Sequence, residues 1–372
     1  MGLTRNRVLE ITGVTRHQYY YQPKNSLKRG RKVSTLTLKI QKDEVIKCTN
    51  DQVVQVITEQ QKNPDLACGY HKMTFVLMQK GYIINHKKVN RLMEENQLLL
   101  DKPKNKTKQY AKYRMVTPKN PLEVMEMDIK MIWCSEHRRH VYNLTIIDTF
   151  TRVALFWEVG YHMKKEQILR AWKMIIEHIL QPAGRYQSDI HVEIRNDNGP
   201  QFSAKELRAF FLENGLNHIF THPYTPQENG HVESFHAILS KAISNLAFWS
   251  ISDVENRLEI FYENYNSNRI HSSIGNLQPT FFWQLWNQNK IKRIEISKRK
   301  IKFKLTFPYQ QLSGNMNLKE VPRLSFDDLD GHQTENKKVD ELITLKNNHR
   351  SKNHHQLFPA VDKSMNEKLI FV

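Results

Sequence analysis

Cysteine is nearly absent from this chain. Three residues, Cys48, Cys68 and Cys134, are odd in number and far apart in 372. That excludes a disulfide-framed scaffold and points to a reduced compartment. Cys68 and His71 stand close together, but no second Cys/His pair at finger spacing accompanies them, so a zinc site is not expected. Long apolar runs are missing too: no stretch approaches the roughly 18 residues that a membrane-spanning helix needs. No long apolar segment follows residues 1–7, so a secretory signal is not expected. Asn6 stands where N-myristoylation requires Ser or Thr. These absences give the expectation of a cytoplasmic protein with no membrane partner. Acidic residues are also scarce: 38 Asp and Glu stand against 56 Lys and Arg, a net charge of +18. A surplus of that size calls for a polyanionic partner, because neutralising phosphates with Lys and Arg drives nucleic-acid affinity.

What is present is enough for a core. Hydrophobic residues make up 39%, with 17 Phe, 14 Tyr and 6 Trp, and the length suits two or three domains. Periodicity gives a coarse order over residues 121–285. Strands are expected at 123–133, 141–147 and 153–159, then a helix at 164–180, a strand at 191–195 and a helix at 204–214. A short strand at 218–221 and helices at 227–248 and 253–266 follow. Three strands and then alternating helix and strand is the order of a ribonuclease-H-like α/β fold with a mixed five-stranded sheet.

Three acidic side chains fall at telling places in that order. Asp128 lies on the first strand, with Glu126 two residues before it. Asp197 sits where the run Ile190, Val192, Ile194 gives way to the turn Asn198-Gly199-Pro200. Glu233 follows Asn229-Gly230 at the opening of a helix whose apolar face carries Val232, Phe235, Leu239, Ala242, Ile243 and Leu246. Glu233 itself lies off that face, and 35 residues separate it from Asp197. Carboxylates from a strand, a strand end and a helix suit Mg2+, which takes a few carboxylates and completes its shell with water and phosphate oxygens. Two such ions about 3.5–4 Å apart serve in-line displacement at phosphorus. Asp148 also ends a strand, but turn chemistry with Thr149 and Thr151 accounts for it.

With Asp-Asn-Gly-Pro-Gln-Phe at 197–202, the triad and the 35-residue gap, the sequence resembles the retroviral-integrase-like (DDE) superfamily. Within it, the chain resembles the second-frame (OrfB type) transposases of insertion sequences. Residues 265–279 resemble the family's segment after the core. Gly69-Tyr-His-Lys and 85–96 resemble its upstream helical region. The resemblance implies two Mg2+ ions, replaceable by Mn2+, with Asp128 bridging them and Asp197 and Glu233 holding one each. It implies double-stranded DNA partners (element terminal repeats and target DNA) and a homo-oligomer on that DNA. It also implies an upstream-frame partner or fusion, and residence on the bacterial nucleoid. The family usually carries a basic residue seven positions after the glutamate; here Ser240 stands there, with Lys241 next.

Ahead of the core, residues 1–23 read as a helix-turn-helix-like segment. It turns at Gly13, Thr15 caps its second helix, and Arg16 and His17 stand at that helix's start. Residues 24–100 read as an all-helical DNA-binding region, with helices at 43–62, 70–80 and 86–97. Lys87, Lys88 and Arg91 face outward from the last of these. Residues 101–120 form a basic linker, 286–311 a basic β-rich addition, and 312–372 a polar tail expected to be disordered. His236 and Lys241 near Glu233, and Arg269 and His271 further on, complete the candidate DNA contacts. The reading is a DNA strand-transferase. Its alternatives are a catalytically silent DNA-binding protein that retains the fold and a ribonuclease-H-type nuclease on RNA–DNA hybrid.

Overall fold

Two short helices open the chain in this computed structural model, which describes residues 2–21, 34–42, 44–101, 116–188, 191–222, 226–297 and 300–312. The basic segment 24–32, most of the 101–120 linker and the tail beyond 312 lie outside the described residues. Helix α1 (Arg5–Thr12) ends on Gly13 at φ 67, a left-handed cap that favours glycine. Helix α2 (Arg16–Tyr20) begins on Thr15, whose side chain accepts from the Gln18 amide while Gln18 reaches back to the Thr15 amide. Residues 1–36 form one compact unit and the rest of the chain another.

The region expected to be all-helical carries a small sheet as well. Strands β1 (Leu36–Gln41) and β2 (Glu44–Thr49) are followed by helices α3 (Asn50–Lys62) and α4 (Tyr70–Gln79). Strand β3 (Tyr82–Ile83) and helix α5 (His86–Glu95) complete the region, and the sheet order is β2-β1-β3. The helix expected over 43–62 starts only at Asn50. Val45 and Ile46 favour a strand, and Thr49 with Gln52 forms a capping box that fixes the start. Val53, Ile57, Met73, Leu77, Val89, Leu92 and Met93 close a core between the three helices.

The second sheet has five strands: β4 (Val124–Cys134), β5 (Arg139–Asp148), β6 (Ala154–Gly160), β7 (Glu193–Asn196) and β8 (Asn217–Phe220). Their order is β6-β5-β4-β7-β8. The first three form an antiparallel meander, and β7 and β8 add parallel to β4. This is the ribonuclease-H-like arrangement. Helices α6 (Lys165–Ile175, continued by a π turn at Ile176–Leu180) and α7 (Lys205–Glu213) pack Trp172, Ile175 and Phe211 on the face that presents Met125 and Met127. Helices α8 (Gly230–Ile243) and α9 (Ile251–Glu263) cover the other face, setting Val232, Phe235, Leu239 and Phe261 against Ile132, Cys134 and Trp157. Alternation along β4 thus divides the molecule into two layers and leaves Asp128 on the α8 side. Helix α8 is shorter than the 227–248 expected. A 3-10 turn at Pro226–Asn229 precedes it, and Leu246 is exposed beyond its end.

An element absent from the sequence reading, helix α10 (Pro279–Asn287), starts on a proline and leads into the hairpin β9 (Ile291–Ser297) and β10 (Lys300–Leu305). The helical region is fastened to the core. Asp65, 3% exposed, accepts from Arg257 at 3.0 Å and Asn264 at 3.1 Å. Gln79 donates to the Asn276 carbonyl at 2.8 Å and accepts from Gln278 at 3.0 Å.

Candidate active site

Strand pairing brings the first two carboxylates to one level. Glu126 on β4 is the register partner of Arg195 on β7, so Asp128 and Asp197 both lie two residues further along neighbouring parallel strands. Beyond the end of β7 the chain turns, and Asp197 Oδ1 accepts from the Gly199 amide at 3.0 Å. A Cβ at Gly199 would stand 2.6 Å from Gln201 Nε2 and 3.1 Å from Asp197 Oδ1, which is why glycine follows the Asp-Asn pair. Asn198 donates to the Thr221 carbonyl at 2.9 Å and ties this turn to the exit of β8.

The third carboxylate depends on a residue whose role the sequence did not reveal. Glu126 is fully buried and accepts from the backbone amides of His231 and Val232, each at 2.8 Å. Its other oxygen lies 2.6 Å from His231 Nδ1. A carboxylate on the first amides of a helix satisfies orphan donors and complements the helix dipole. Glu126 therefore clamps the start of α8 to β4 and fixes where Glu233, in the first turn, emerges. Its placement two residues before Asp128, on the same strand face, was the available signal. Burial pushes its pKa up to about 7, against the Val232 amide and the charges of Arg152 and Arg195.

Asp197 and Glu233 are exposed, and Asp128 is half-buried. The pKa of Asp197 is raised by partial burial and then by the charge of Asp128; that of Glu233 by burial and then by Asp128 and Glu126. Asp128 is thus the charge that both of the others feel. A set of like charges held together in this way favours a cation. Hard carboxylate oxygens are the donors that Mg2+ and Mn2+ take. Among the described residues, no three side chains converge as ligands of a single ion.

Other candidates fall elsewhere. His236, expected at a DNA phosphate, is buried, with Nδ1 3.1 Å from Asp128 Oδ2 and Nε2 without a partner among the described residues. Arg269 is half-buried and His271 is buried. Arg269 donates to the Asp65 carbonyl, and the His271 ring packs 4.7 Å from Tyr265. Lys241 is exposed in the last turn of α8. On α5, Lys87 is exposed, Lys88 is half-buried and Arg91 lies 3.6 Å from Glu95. Arg16 and His17 are exposed on α2, with Arg16 donating to Asn6 at 3.1 Å. Of the loop before α8, residues 223–225 lie outside the described residues. Glu228 at its end is buried and accepts from the His222 amide at 3.0 Å.

The chain carries an integrase core domain on a ribonuclease-H-like sheet. Integrase core domain models match residues 118–226 and 214–279, and an HTH-like domain model matches 49–106, the region of α3, α4 and α5. More particularly, the chain is related to the proteins of bacterial insertion elements. It is 26% identical over 216 residues to the insertion element IS476 39.2 kDa protein of Xanthomonas euvesicatoria, covering 58% of this chain and 60% of that protein. It is 24% identical over 223 residues to the putative transposase InsK for insertion sequence element IS150 of Escherichia coli, covering 57% and 75%. The chain thus spans less than two thirds of the IS476 protein's length. Among solved structures, a simian T-cell lymphotropic virus intasome chain matches at TM-score 0.39 and 16% identity, covering 67% of this chain and 79% of that one. The Mos1 mariner transposase catalytic domain matches at TM-score 0.35 and 15% identity, covering 44% and 74%. No helix among the described residues is long and apolar enough to cross a membrane.

Proposed function

We propose that this chain is a DDE transposase that cleaves DNA at the ends of an insertion element and joins the freed 3′ ends to target DNA. One observation carries the reading: Asp128 and Asp197 lie at one level along neighbouring parallel strands, and Glu126, on the same strand face as Asp128, clamps the start of α8, in whose first turn Glu233 stands. Asp128, Asp197 and Glu233 would hold the divalent ions. When bound, the ions activate the attacking oxygen and stabilise the leaving one. The protein's part is placement. Gly199 keeps the Asp197 carboxylate turned back on its own loop, Glu126 fixes the start of α8, and His236 holds one oxygen of Asp128. Outer contacts of this kind orient ligands and typically matter about 10–100-fold. Water attacks first, at the phosphodiester of the element end, and the 3′-hydroxyl so released then attacks target DNA. Each step is an in-line displacement without a covalent protein intermediate. The HTH-like region locked to the core would present element ends, the synaptic complex would be a homo-oligomer, and an upstream-frame protein would join it.

The test is strand transfer in Mg2+ on labelled DNA carrying the element's terminal repeats, with Asp197→Asn in parallel. Cleavage and joining by the wild type, lost about 1,000-fold or more in the variant with DNA binding intact, is the expected result. Equal binding with no chemistry from either, even with the upstream frame fused on, would leave the silent DNA-binding alternative.

A further inference from the structure

The segment after α9 is stitched to both halves of the larger unit. On one side Asn266 accepts from the Ala154 amide at 2.9 Å and donates to the Ala154 carbonyl at 3.1 Å, two residues past Arg152. On the other side Arg269 donates to the Asp65 carbonyl. Ile270 is buried in the core of α3, α4 and α5 together with Met73, the neighbour of Lys72 on α4. The His271 ring then comes back to pack on Tyr265 at 4.7 Å. Residues 265–271 thus run between the turn that carries Arg152 and the helix that carries Lys72.

Charge of one sign gathers along that path. Neither Arg152 nor Lys72 forms an ion pair among the described residues. Arg152 Nη1, Arg269 Nε and His271 Nε2 are buried with no hydrogen-bond partner there. Burial, and then the charges of Lys72, Arg269 and Arg152, hold His271 well below the usual imidazole range, so its ring is neutral. The carboxylates whose charge acts on the two guanidiniums are engaged elsewhere. Asp148 accepts from Leu122 and Thr151, Glu126 from His231 and Val232, and Asp65 from Arg257 and Asn264. A guanidinium does not shed its proton in a protein, so a buried one needs a counter-charge. We propose that Arg152, Arg269, Lys72 and His271 form a site for one small oxyanion of the phosphate class, which ties the HTH-like region to the core. The occupant is a free anion and not a duplex, because His271 is enclosed at 8% exposure. Lys72 and Arg269 are half-buried, so one side of the cluster reaches solvent. Guanidinium N–H groups match phosphate oxygens in geometry as well as charge. The site is independent of the transposase reading.

The experiment is calorimetric titration of the full chain with inorganic phosphate, at an ionic strength held constant with NaCl. One site per chain is expected, and Tm should rise along the same saturation curve. Amide exchange should slow in α4 and over residues 264–271 while β9–β10 stays unchanged. Arg152→Gln should weaken phosphate binding about 10-fold or more, the usual effect of losing a charged hydrogen bond. Lys72→Met separates binding from folding. It removes one of several like charges, so Tm without phosphate should hold or rise, while the response to phosphate is lost. Absence of saturable binding overturns the proposal, and so does a Lys72→Met response equal to that of the wild type. Phosphate that a random-sequence duplex competes away would overturn it as well, by making the cluster a DNA contact.

Discussion

Two acidic sites lie near each other in the same sheet and are opposite in kind. At the end of β5, Asp148 is fully buried and its carboxylate is consumed. It accepts from the Leu122 amide at 3.1 Å, the Thr151 amide at 2.8 Å, the Thr151 hydroxyl at 2.6 Å and the Phe150 amide at 3.4 Å. On β4 and just past the end of β7, Asp128 and Asp197 each accept from one backbone amide, Ile129 at 2.8 Å and Gly199 at 3.0 Å, and partial burial and then the charge of Asp128 raise the pKa of Asp197. The first carboxylate closes a turn; the second pair is left unbalanced within the protein. A carboxylate's use is therefore read from what its oxygens already accept, not from its position at a strand end.

Removing the closed carboxylate should have the largest effect on stability. Asp148→Ala leaves buried amides of Leu122 and Thr151 without acceptors, at about 1–3 kcal/mol each. We expect a loss of about 3–5 kcal/mol and a Tm lower by about 10 °C in calorimetry. Asp197→Asn should leave Tm unchanged or slightly raised, since it relieves repulsion. Equal destabilisation by both substitutions would erase the distinction between the two sites.

His236 sharpens the comparison, because its Nδ1 lies 3.1 Å from Asp128 Oδ2. His236→Ala should raise the Mn2+ concentration for half-maximal cleavage about 10–100-fold, with little change in Tm or duplex affinity. His236→Asn, which keeps a donor near the Nδ1 position, should recover most of that loss. A fall in duplex affinity with unaltered metal dependence would instead return His236 to the role of a DNA contact.

Much of this was legible in the chain. The five strands of the core start and end within two residues of the expected positions, and Ile168, Ala171, Trp172, Ile175 and Ile179 all lie on the buried face of the α6 segment as their spacing requires. Gly13 and Thr15 cap the N-terminal helices as their types demand. The strands β1 and β2 were not legible, because Val45, Ile46 and Cys48 are too few to separate a strand from the helix that follows. Glu126 was hidden for a different reason: its partners, the amides of His231 and Val232, are more than a hundred residues away and belong to the backbone. Arg269 and His271 stand in a polar stretch that reads as surface. The structure buries His271 and half-buries Arg269, which donates to the Asp65 carbonyl 204 residues away in the chain.

The smallest expected effect concerns the support of the Asp197 loop. His218 on β8 lies with Nε2 2.6 Å from Asn196 Oδ1, one residue before Asp197. Burial, and then the charge of Arg208, lowers its pKa to about 4. The folded state thus favours neutral imidazole, and the unfolded chain titrates near 6.5. The stability this contributes is fully present above pH 6.5 and is lost progressively as pH falls toward 4. The Tm of the wild type should decline across that window beyond the general acid effect, and His218→Gln should flatten that part of the curve. Asp148 contributes nothing to that window through Asn196, so Asp148→Ala should shift the whole curve downward and leave the His218 step in place. A step that disappears with Asp148→Ala would mean that the two ends of the sheet are coupled, and the separation between the closed and the open acidic site would fail at its weakest point.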